Sequence, residues 1–378
     1  MAGLSAENKL RDIFNPRVIT SFAGGIGKVW PPFDQKGFVS AIVPKLNDLG
    51  FGERSTLIRD TLAEFLPQEF PKAVGIVVEA LGPALQETKM PLDAFIVSPQ
   101  CAFVSKYGKD HFEISMKALY EMTKRFSAEF DLRTFIEVDY ERAMNILHEW
   151  CTDPNPHVRR LVSEGTRPRL PLAGRIKRFQ KDPRPVIALL DKLKDDESEY
   201  VRRSVANNIN DIAKDNPDIA IAALKQWSRE ADSRVMWVVR HAARSLIKQG
   251  HQEAIAMLGY TTAPKIKVSG LTISPHKVER GGQIVLSFSC SSRSSHVQKL
   301  VVDYAIYYHK ANGRLVPKVF KLRDLTLSPK GNIRIERKIT LRDTSGRTIY
   351  PGPHEIEVRI NGEAYGNVAF AVRHGVRS

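Results

Sequence analysis

The spacing of apolar residues changes once along the chain, and that change constrains the fold more than any other feature. Up to about residue 260, apolar side chains recur at three and four positions, as on one face of a helix. Phe112, Met116, Leu119, Met122 and Phe126 mark one such face, and Ala143, Ile146, Leu147 and Trp150 mark another. Ile187, Leu190 and Leu193, then Val201, Val205, Ile209 and Ile212, continue the pattern. After Thr261-Thr262-Ala263-Pro264 the spacing drops to two. Ile284, Leu286, Phe288 and Cys290 alternate with polar residues, as do Val302, Tyr304, Ile306 and Tyr308, and later His354, Ile356, Val358 and Ile360. Alternation at two is the pattern of half-buried strands. The chain therefore needs two kinds of core, a helical one over 1–262 and a sheet core over 265–378.

Within the helical part, Pro67, Pro71, Pro91, Pro154, Pro156, Pro183, Pro185 and Pro217 punctuate the pattern at intervals that fit one helix each. A repeat is visible in the later half. Aligning Val158, Val201 and Val235 also aligns Val162, Val205 and Val239, with spacings of 43 and 34 residues. Each unit has a polar or acidic loop, a valine and a basic helix start. Spacings of this order belong to HEAT-like helix pairs, which bury their apolar faces by stacking on neighbours. In the sheet part, Gly281-Gly282, Asn312-Gly313, Lys330-Gly331 and Asn361-Gly362 separate the runs, the last as in a tight hairpin. Short strands over about 110 residues suggest an immunoglobulin-like sandwich. Only Cys290 lies there, which excludes an intersheet disulfide. The expected architecture is an all-α HEAT-like repeat solenoid followed by an all-β immunoglobulin-like sandwich.

Composition enters through charge. Apolar residues at 42% and charged residues at 26% exclude a disordered or fibrous chain. No apolar run approaches the ~20 residues that span a bilayer. No signal-peptide pattern opens the sequence, and three scattered cysteines form no CxxC pair, which together point to the cytoplasm. The net charge of +15 is unevenly distributed: −3 over residues 1–150, +6 over 151–264 and +12 over 265–378. A one-sided basic surface attracts polyanions, nucleic acid first among them. In the sandwich the basic residues include Arg293, Lys299, Lys310, Arg314, Lys318, Lys321, Arg323, Lys330, Arg334, Arg337, Lys338, Arg342 and Arg347.

The repeat helix starts carry the clearest chemical feature. Arg159 and Arg160, Arg202 and Arg203, and Arg234 with Arg240 and Arg244 recur at matching or neighbouring places. Stacked arginines suit successive phosphates, or they pair with acidic loops, as Arg202 would with Asp195 or Glu199. We expect about half of each kind. Glu164, Asn207 and His241 form a second column. Asn207 and Asn208 read as inter-repeat hydrogen-bonding residues, a reading favoured for Asn207 and Asn210. Glu164 lies among Arg159, Arg160, Arg167 and Arg169, as a salt-bridge partner or as a site residue. Glu121 reads by periodicity as an exposed helix carboxylate, Trp150 as core, and Trp237 as either core or site. GGIGK at 24–28 lacks P-loop spacing, Ser245-x-x-Lys248 is a lone match, and no HExxH or similar cluster indicates a metal.

Four segments carry a family resemblance: MTKRFSAEFDLRTFI (122–136), HVRRLVSEGTRPRLPLAG (157–174), SEYVRRSVANNINDIAKDNPD (198–218) and MWVVRHAARSLIKQG (236–250). They resemble the AlkC-type DNA glycosylases, relatives of AlkD, and the sandwich resembles the immunoglobulin-like domain of one AlkC subgroup. The resemblance implies hydrolysis of the N-glycosidic bond of cationic alkylated bases in double-stranded DNA: 3-methyladenine, and for AlkC-like members 3-methylcytosine. The product is an abasic site, and no cofactor or metal is implied. A carboxylate would stabilise the sugar cation and position water, with Glu121 foremost, then Glu164, then Asp211. Arg159, Arg160, Arg167, Arg169, Arg202, Arg203, Arg240, Arg244 and Trp237 would face DNA. The implied protein is a monofunctional, monomeric bacterial enzyme of the cytoplasm, on the nucleoid when bound, with no membrane partner. At Leu172 the chain has PRLPL where the family pattern commonly has PRLPW, which removes the ring that base stacking there would need. A HEAT-repeat module that binds DNA or protein without chemistry is the rival expectation.

Overall fold

A computed structural model describes residues 11–88, 91–230, 232–344 and 347–373. Among the described residues there are sixteen α-helices, ending at Met257, and eight strands, beginning at Ile266. The change of apolar spacing thus marks a change from helix to sheet. Two compact units emerge, Met1–Ala223 with Glu230–Ala242, and Leu224–Arg229 with Ala243–Ser378.

In the first unit the repeat helices are Pro156–Gly165, Glu199–Ile212 and Ser233–Ala242. The middle one packs on both others. Both valine columns are core: Val158, Val201, Val235, Val162, Val205 and Val239 are all fully or almost fully buried. Each such side chain stabilises by about 1.5–3 kcal/mol relative to exposure, which is why the repeats must stack. Short acidic turns start them. Asp153, Asp196 and Asp232 each accept, through Oδ1, the backbone N–H two residues on, an Asx turn that favours leaving the loop for helix. Asn155 caps the first helix through His157 N, and Pro156 sits in its first turn, where no N–H is needed.

Nearer the N-terminus, the helix Phe112–Thr123 buries Phe112, Met116, Leu119 and Met122, with Phe126 just beyond it. In Tyr140–Trp150, Ala143 and Leu147 are buried. Trp150 corrects the sequence expectation. It is only partly buried and meets the Tyr120 ring at 5.5 Å instead of entering the core. Periodicity places a residue on a face but does not say how far the cover extends.

The second unit contains β1 (Ile266–Ser274), β2 (Lys277–Glu279), β3 (Gln283–Ser292), β4 (Gln298–His309), β5 (Leu315–Leu327), β6 (Asn332–Thr340), β7 (Gly352–Ile360) and β8 (Glu363–Arg373). One sheet runs β1-β3-β6, the other β2-β8-β7-β4-β5. Among the described strand pairs, β2–β8 alone is parallel. The alternating apolar residues of β3, β4 and β7 share one core cluster. Asn361 and Gly362 both have positive φ (51° and 82°), making the two-residue turn between β7 and β8. Glycine is required at 362 because a Cβ there would collide with the backbone of Gly250. The Asn361 side chain fixes the same corner, accepting from Val301 N at 2.7 Å and donating to Thr261 O at 2.6 Å.

Candidate active site

The first unit encloses a charged cluster where the helix Pro156–Gly165 ends beside Glu199–Ile212. Glu164 lies one residue before the helix end, next to Gly165, where any Cβ would strike the Leu132 side chain. The chain then turns, and Arg167 reaches back. Its Nη1 donates to Glu164 Oε1, and its Nε donates to Asp211 Oδ2 at 2.7 Å. Ser204 donates to Glu164 Oε2, and Arg160 approaches the same oxygen at 3.7 Å. Lys214 donates to Asp211 Oδ1 at 2.7 Å. Arg160 also donates to Ser127 Oγ and Glu129 Oε2, and lies over the Tyr200 ring.

Glu164, Asp211 and Arg167 are all buried. Burial disfavours the Arg160 and Arg167 cations, but the surrounding carboxylates outweigh it and raise both above their ordinary range. Burial holds the Tyr200 phenol above its ordinary range, against the pull of the neighbouring Arg160. The result is a fixed array in which every charge has an opposite neighbour.

Glu121 makes a separate arrangement on the helix Phe112–Thr123. Lys124 Nζ and Arg125 Nη1 each donate to its carboxylate at 2.8 Å. Burial pushes this carboxyl up, but those two hydrogen bonds outweigh it and hold it below its ordinary range. Its side chain is 31% exposed. It lines a cavity of about 270 Å³ whose other walls include Pro71, Val74, Val78, Ile114 and Ala118. The described hydrogen bonds and ion pairs join Glu164 to Asp211 through Arg167. They do not join Glu121 to either.

The arginines divide by environment. Arg159 is buried. It pairs with Asp196 at 2.6 Å and donates to the carbonyls of Asp153 and Pro154, six and five residues earlier. Arg202 repeats this one unit on, donating to the carbonyls of Asp196 and Glu197, again six and five residues earlier. The expected Asp195 or Glu199 partner is thus replaced by backbone. Arg169 pairs with Asp215. Arg203 is well exposed and pairs with Glu199. Arg240 is exposed and Arg244 partly so. Trp237 is partly buried, stacks on His241 with rings 3° from parallel, and lies under Arg202 at 5.9 Å.

Inter-repeat amide bonding comes from Asn208, which donates to Ser163 O at 2.7 Å and to Thr166 Oγ1 at 3.2 Å. Asn210, expected in that role, is buried with its Oδ1 unpartnered. Sequence reasoning missed Ser204, Tyr200, Glu129 and Arg133. Arg133 is buried and donates to the carbonyls of Gly165, Arg167 and Gly174. Only Tyr200 had a signal, as an aromatic immediately before an aligned valine. Among the described residues no group of three or more His, Cys, Asp or Glu gathers as a metal site, and no helix is long and apolar enough to cross a membrane.

In the sandwich, Arg314, Lys318, Lys321 and Arg323 lie exposed on β5 or the turn before it, and β5 is a sheet edge. Arg334, Arg337 and Lys338 are exposed on β6.

Stacked helical repeats holding an enclosed carboxylate–arginine cluster, joined to an immunoglobulin-like sandwich, define a class of protein with known structures. Residues 267–374 match the family described as "Uncharacterised protein YhaZ, C-terminal Ig-like domain". The Bacillus subtilis (strain 168) protein described as "Uncharacterized protein YhaZ" is 34% identical over 368 residues, 96% of this chain and 99% of that protein. The Pseudomonas fluorescens alkylpurine DNA glycosylase AlkC, solved bound to DNA containing an abasic site analog, is 37% identical with a TM-score of 0.88, over 96% of this chain and 99% of that one. The chain belongs to the AlkC family.

Proposed function

We propose that this protein is a monofunctional DNA glycosylase that releases cationic alkylated bases from duplex DNA, 3-methyladenine and 3-methylcytosine among them. The observation that carries this reading is likeness over 96% of the chain to an alkylpurine DNA glycosylase that binds abasic-site DNA. Residues 1–262 do the excision and the basic residues 265–378 grip the backbone.

A base alkylated to a cation leaves as a neutral molecule when its N-glycosidic bond breaks, so little acid assistance is needed. Positive charge passes to the sugar, a water oxygen bonds to C1′, and the water's proton passes to solvent. What the protein must supply is negative charge close to that sugar. Of the three candidate carboxylates, Glu121 is the one with substantial exposure and a cavity beside it. A carboxyl held below its ordinary range is a weak base but a dependable anion. Glu121 therefore acts electrostatically, opposite the developing oxocarbenium. Glu164 and Asp211, saturated by Arg160, Arg167, Ser204 and Lys214, hold the neighbouring arginines in place. Arg203 and Arg240, exposed on the repeats, meet phosphates.

The test is release of free base from methylated duplex DNA. The wild-type chain is expected to release 3-methyladenine, and Glu121→Gln to slow single-turnover release by about 10²–10³-fold. Binding of duplex with no base released overturns the glycosylase reading. It leaves a DNA-binding repeat module in its place.

A further inference from the structure

Glu121 stands among charges that oppose its task. A carboxylate that serves a developing cation should present net negative charge to it. The charges that act most on Glu121 are two cations, Lys124 and Arg125. Each donates to one of its oxygens at 2.8 Å. One anion against two cations leaves a net positive cluster. The cavity beside it does not correct this, because its other charged walls are Glu79 and Lys117, one of each sign. While both cations stay in place, a third is repelled. One of them must move before Glu121 can serve a cation.

The two are held differently. Besides the Glu121 carboxylate, Arg125 holds two backbone carbonyls. Its Nη1 donates to Glu121 O at 2.8 Å, and its Nε donates to Gly82 O at 2.7 Å across 43 residues of sequence. Those carbonyls keep it in place when the carboxylate changes partner. Lys124 carries its charge on a flexible four-carbon stem. Its Nζ contacts Glu121 Oε1 and lies 4.0 Å from the centroid of the Tyr120 ring. A carboxylate and an aromatic face attract any cation that fits them. The ring is anchored by groups other than Lys124. Tyr120 donates to Asp153 Oδ2 at 2.8 Å, and its ring meets the partly buried Trp150 at 5.5 Å. The seat therefore persists when the ammonium leaves it.

We propose that Lys124 is a resident cation in the seat formed by Glu121 and Tyr120, and that the sugar cation of the reaction displaces it onto a neighbouring phosphate. The inference rests on the DNA glycosylase reading and deepens it. With Lys124 withdrawn, Glu121 and Arg125 balance, and Oε1 turns to the new cation. The exchange replaces charge with charge, so the carboxylate is never left without a partner. A neutral sugar brings no charge to offset the loss of the ammonium and leaves Lys124 where it is. Phosphate offers the displaced lysine a second anion, which DNA always supplies.

The experiment uses the full chain and two duplexes of one sequence. One carries a pyrrolidine abasic analogue, whose ring nitrogen is protonated at neutral pH, and the other carries the neutral tetrahydrofuran analogue. The readout is the ratio of their affinities, in which a phosphate contact common to both complexes cancels. Lys124→Met removes the competing cation and is expected to raise the preference for pyrrolidine about tenfold. Lys124→Gln should follow Met, and Lys124→Arg, which restores a cation, should stay close to wild type. In a Glu121→Gln background the gain from Lys124→Met should vanish, because the seat has lost its anion. A ratio that Lys124→Met leaves unchanged or lowers overturns the proposal, and so does a gain that persists beside Glu121→Gln. Failure of wild type to release 3-methyladenine overturns the glycosylase reading instead. Neither analogue duplex is cleaved, so the ratio reads the seat separately.

Discussion

Arg167 Nε donates to Asp211 Oδ2 at 2.7 Å across 44 residues of sequence, so the loop after one repeat helix is locked to the C-terminal end of the next. The same guanidinium serves Glu164. Arg167→Met keeps the length of the side chain and removes its charge. Two buried carboxylates would then face each other with Lys214, itself 42% exposed, as the remaining cation on Asp211. Breaking a buried ion pair from one side costs about 3–5 kcal/mol, and a loss of that order in urea unfolding is expected. Arg167→Lys should recover part of it, since an ammonium lacks the fork that bridges both carboxylates. A Met variant as stable as wild type would show that the cluster contributes nothing to the fold.

Arg159 and Arg202 should behave differently from Arg203 and Arg240, although all four occupy basic stretches of the repeats. Arg159 and Arg202 each brace the turn before their own helix through two carbonyls. Arg159→Ala is expected to destabilise by about 2–4 kcal/mol, because Asp196 and two carbonyls lose a buried donor. Arg203, in an exposed pair with Glu199, should cost about 0–1 kcal/mol on removal. Its expected signature is instead in DNA binding: Arg203→Ala and Arg240→Ala should each lower the log–log salt slope by about 0.9. Equal stability losses for Arg159→Ala and Arg203→Ala would contradict this division.

That division also shows what the sequence can carry. The fold was legible because periodicity, valine columns and the Asn361-Gly362 turn are local patterns, each tied to one backbone geometry. Glu164 stood out by its basic surroundings, and the chain segments resembling AlkC-type enzymes pointed to Glu121. Arg133 could not be found, because its partners are carbonyls 32, 34 and 41 residues away, and a carbonyl leaves no mark on residue type. The roles of Arg159 and Arg202 were hidden for the same reason. Nothing in residue type predicts that Leu172 stands fully in solvent, since that depends on how the loop around it is anchored.

Asp303 on β4 sets a pH dependence in the second unit. It is 1% exposed and its Oδ1 has no hydrogen-bond partner. Burial pushes its carboxyl up from 3.8 to about 6, against the opposing pull of Lys248, Lys321 and Arg359 and with the help of Asp324. The native state then keeps a proton that the unfolded chain releases between those two values. Stability contributed by this group is present below the unfolded value, falls as pH rises through about 6, and stays low above. Asp303→Asn is expected to raise stability at pH 7.5 and to flatten its dependence between pH 4 and 6. Calorimetry at pH 4.5 and 7.5 checks it, and an Asn variant with the wild-type pH profile would assign that dependence elsewhere.

The sandwich has its own test, separate from excision. From Lys310 to Arg323 the chain carries five basic residues and no acidic one. Arg314, Lys318, Lys321 and Arg323 are exposed. If this strand follows the backbone of DNA, each phosphate left without its cation should lower the slope of log affinity against log salt by about 0.9. Replacing Arg314, Lys318 and Arg323 with alanine is therefore expected to flatten the slope by up to about 3. Stability should change little, because exposed side chains away from special backbone geometry contribute within about 0.5 kcal/mol each. The parallel set on β6, Arg334, Arg337 and Lys338, serves as the comparison, because Glu336 lies among them and pairs with Arg334. A slope lowered by the β6 set and untouched by the β5 set would move the DNA to the other sheet. A slope unchanged by both would leave the repeats to bind DNA alone and the basic sandwich without a role in gripping it.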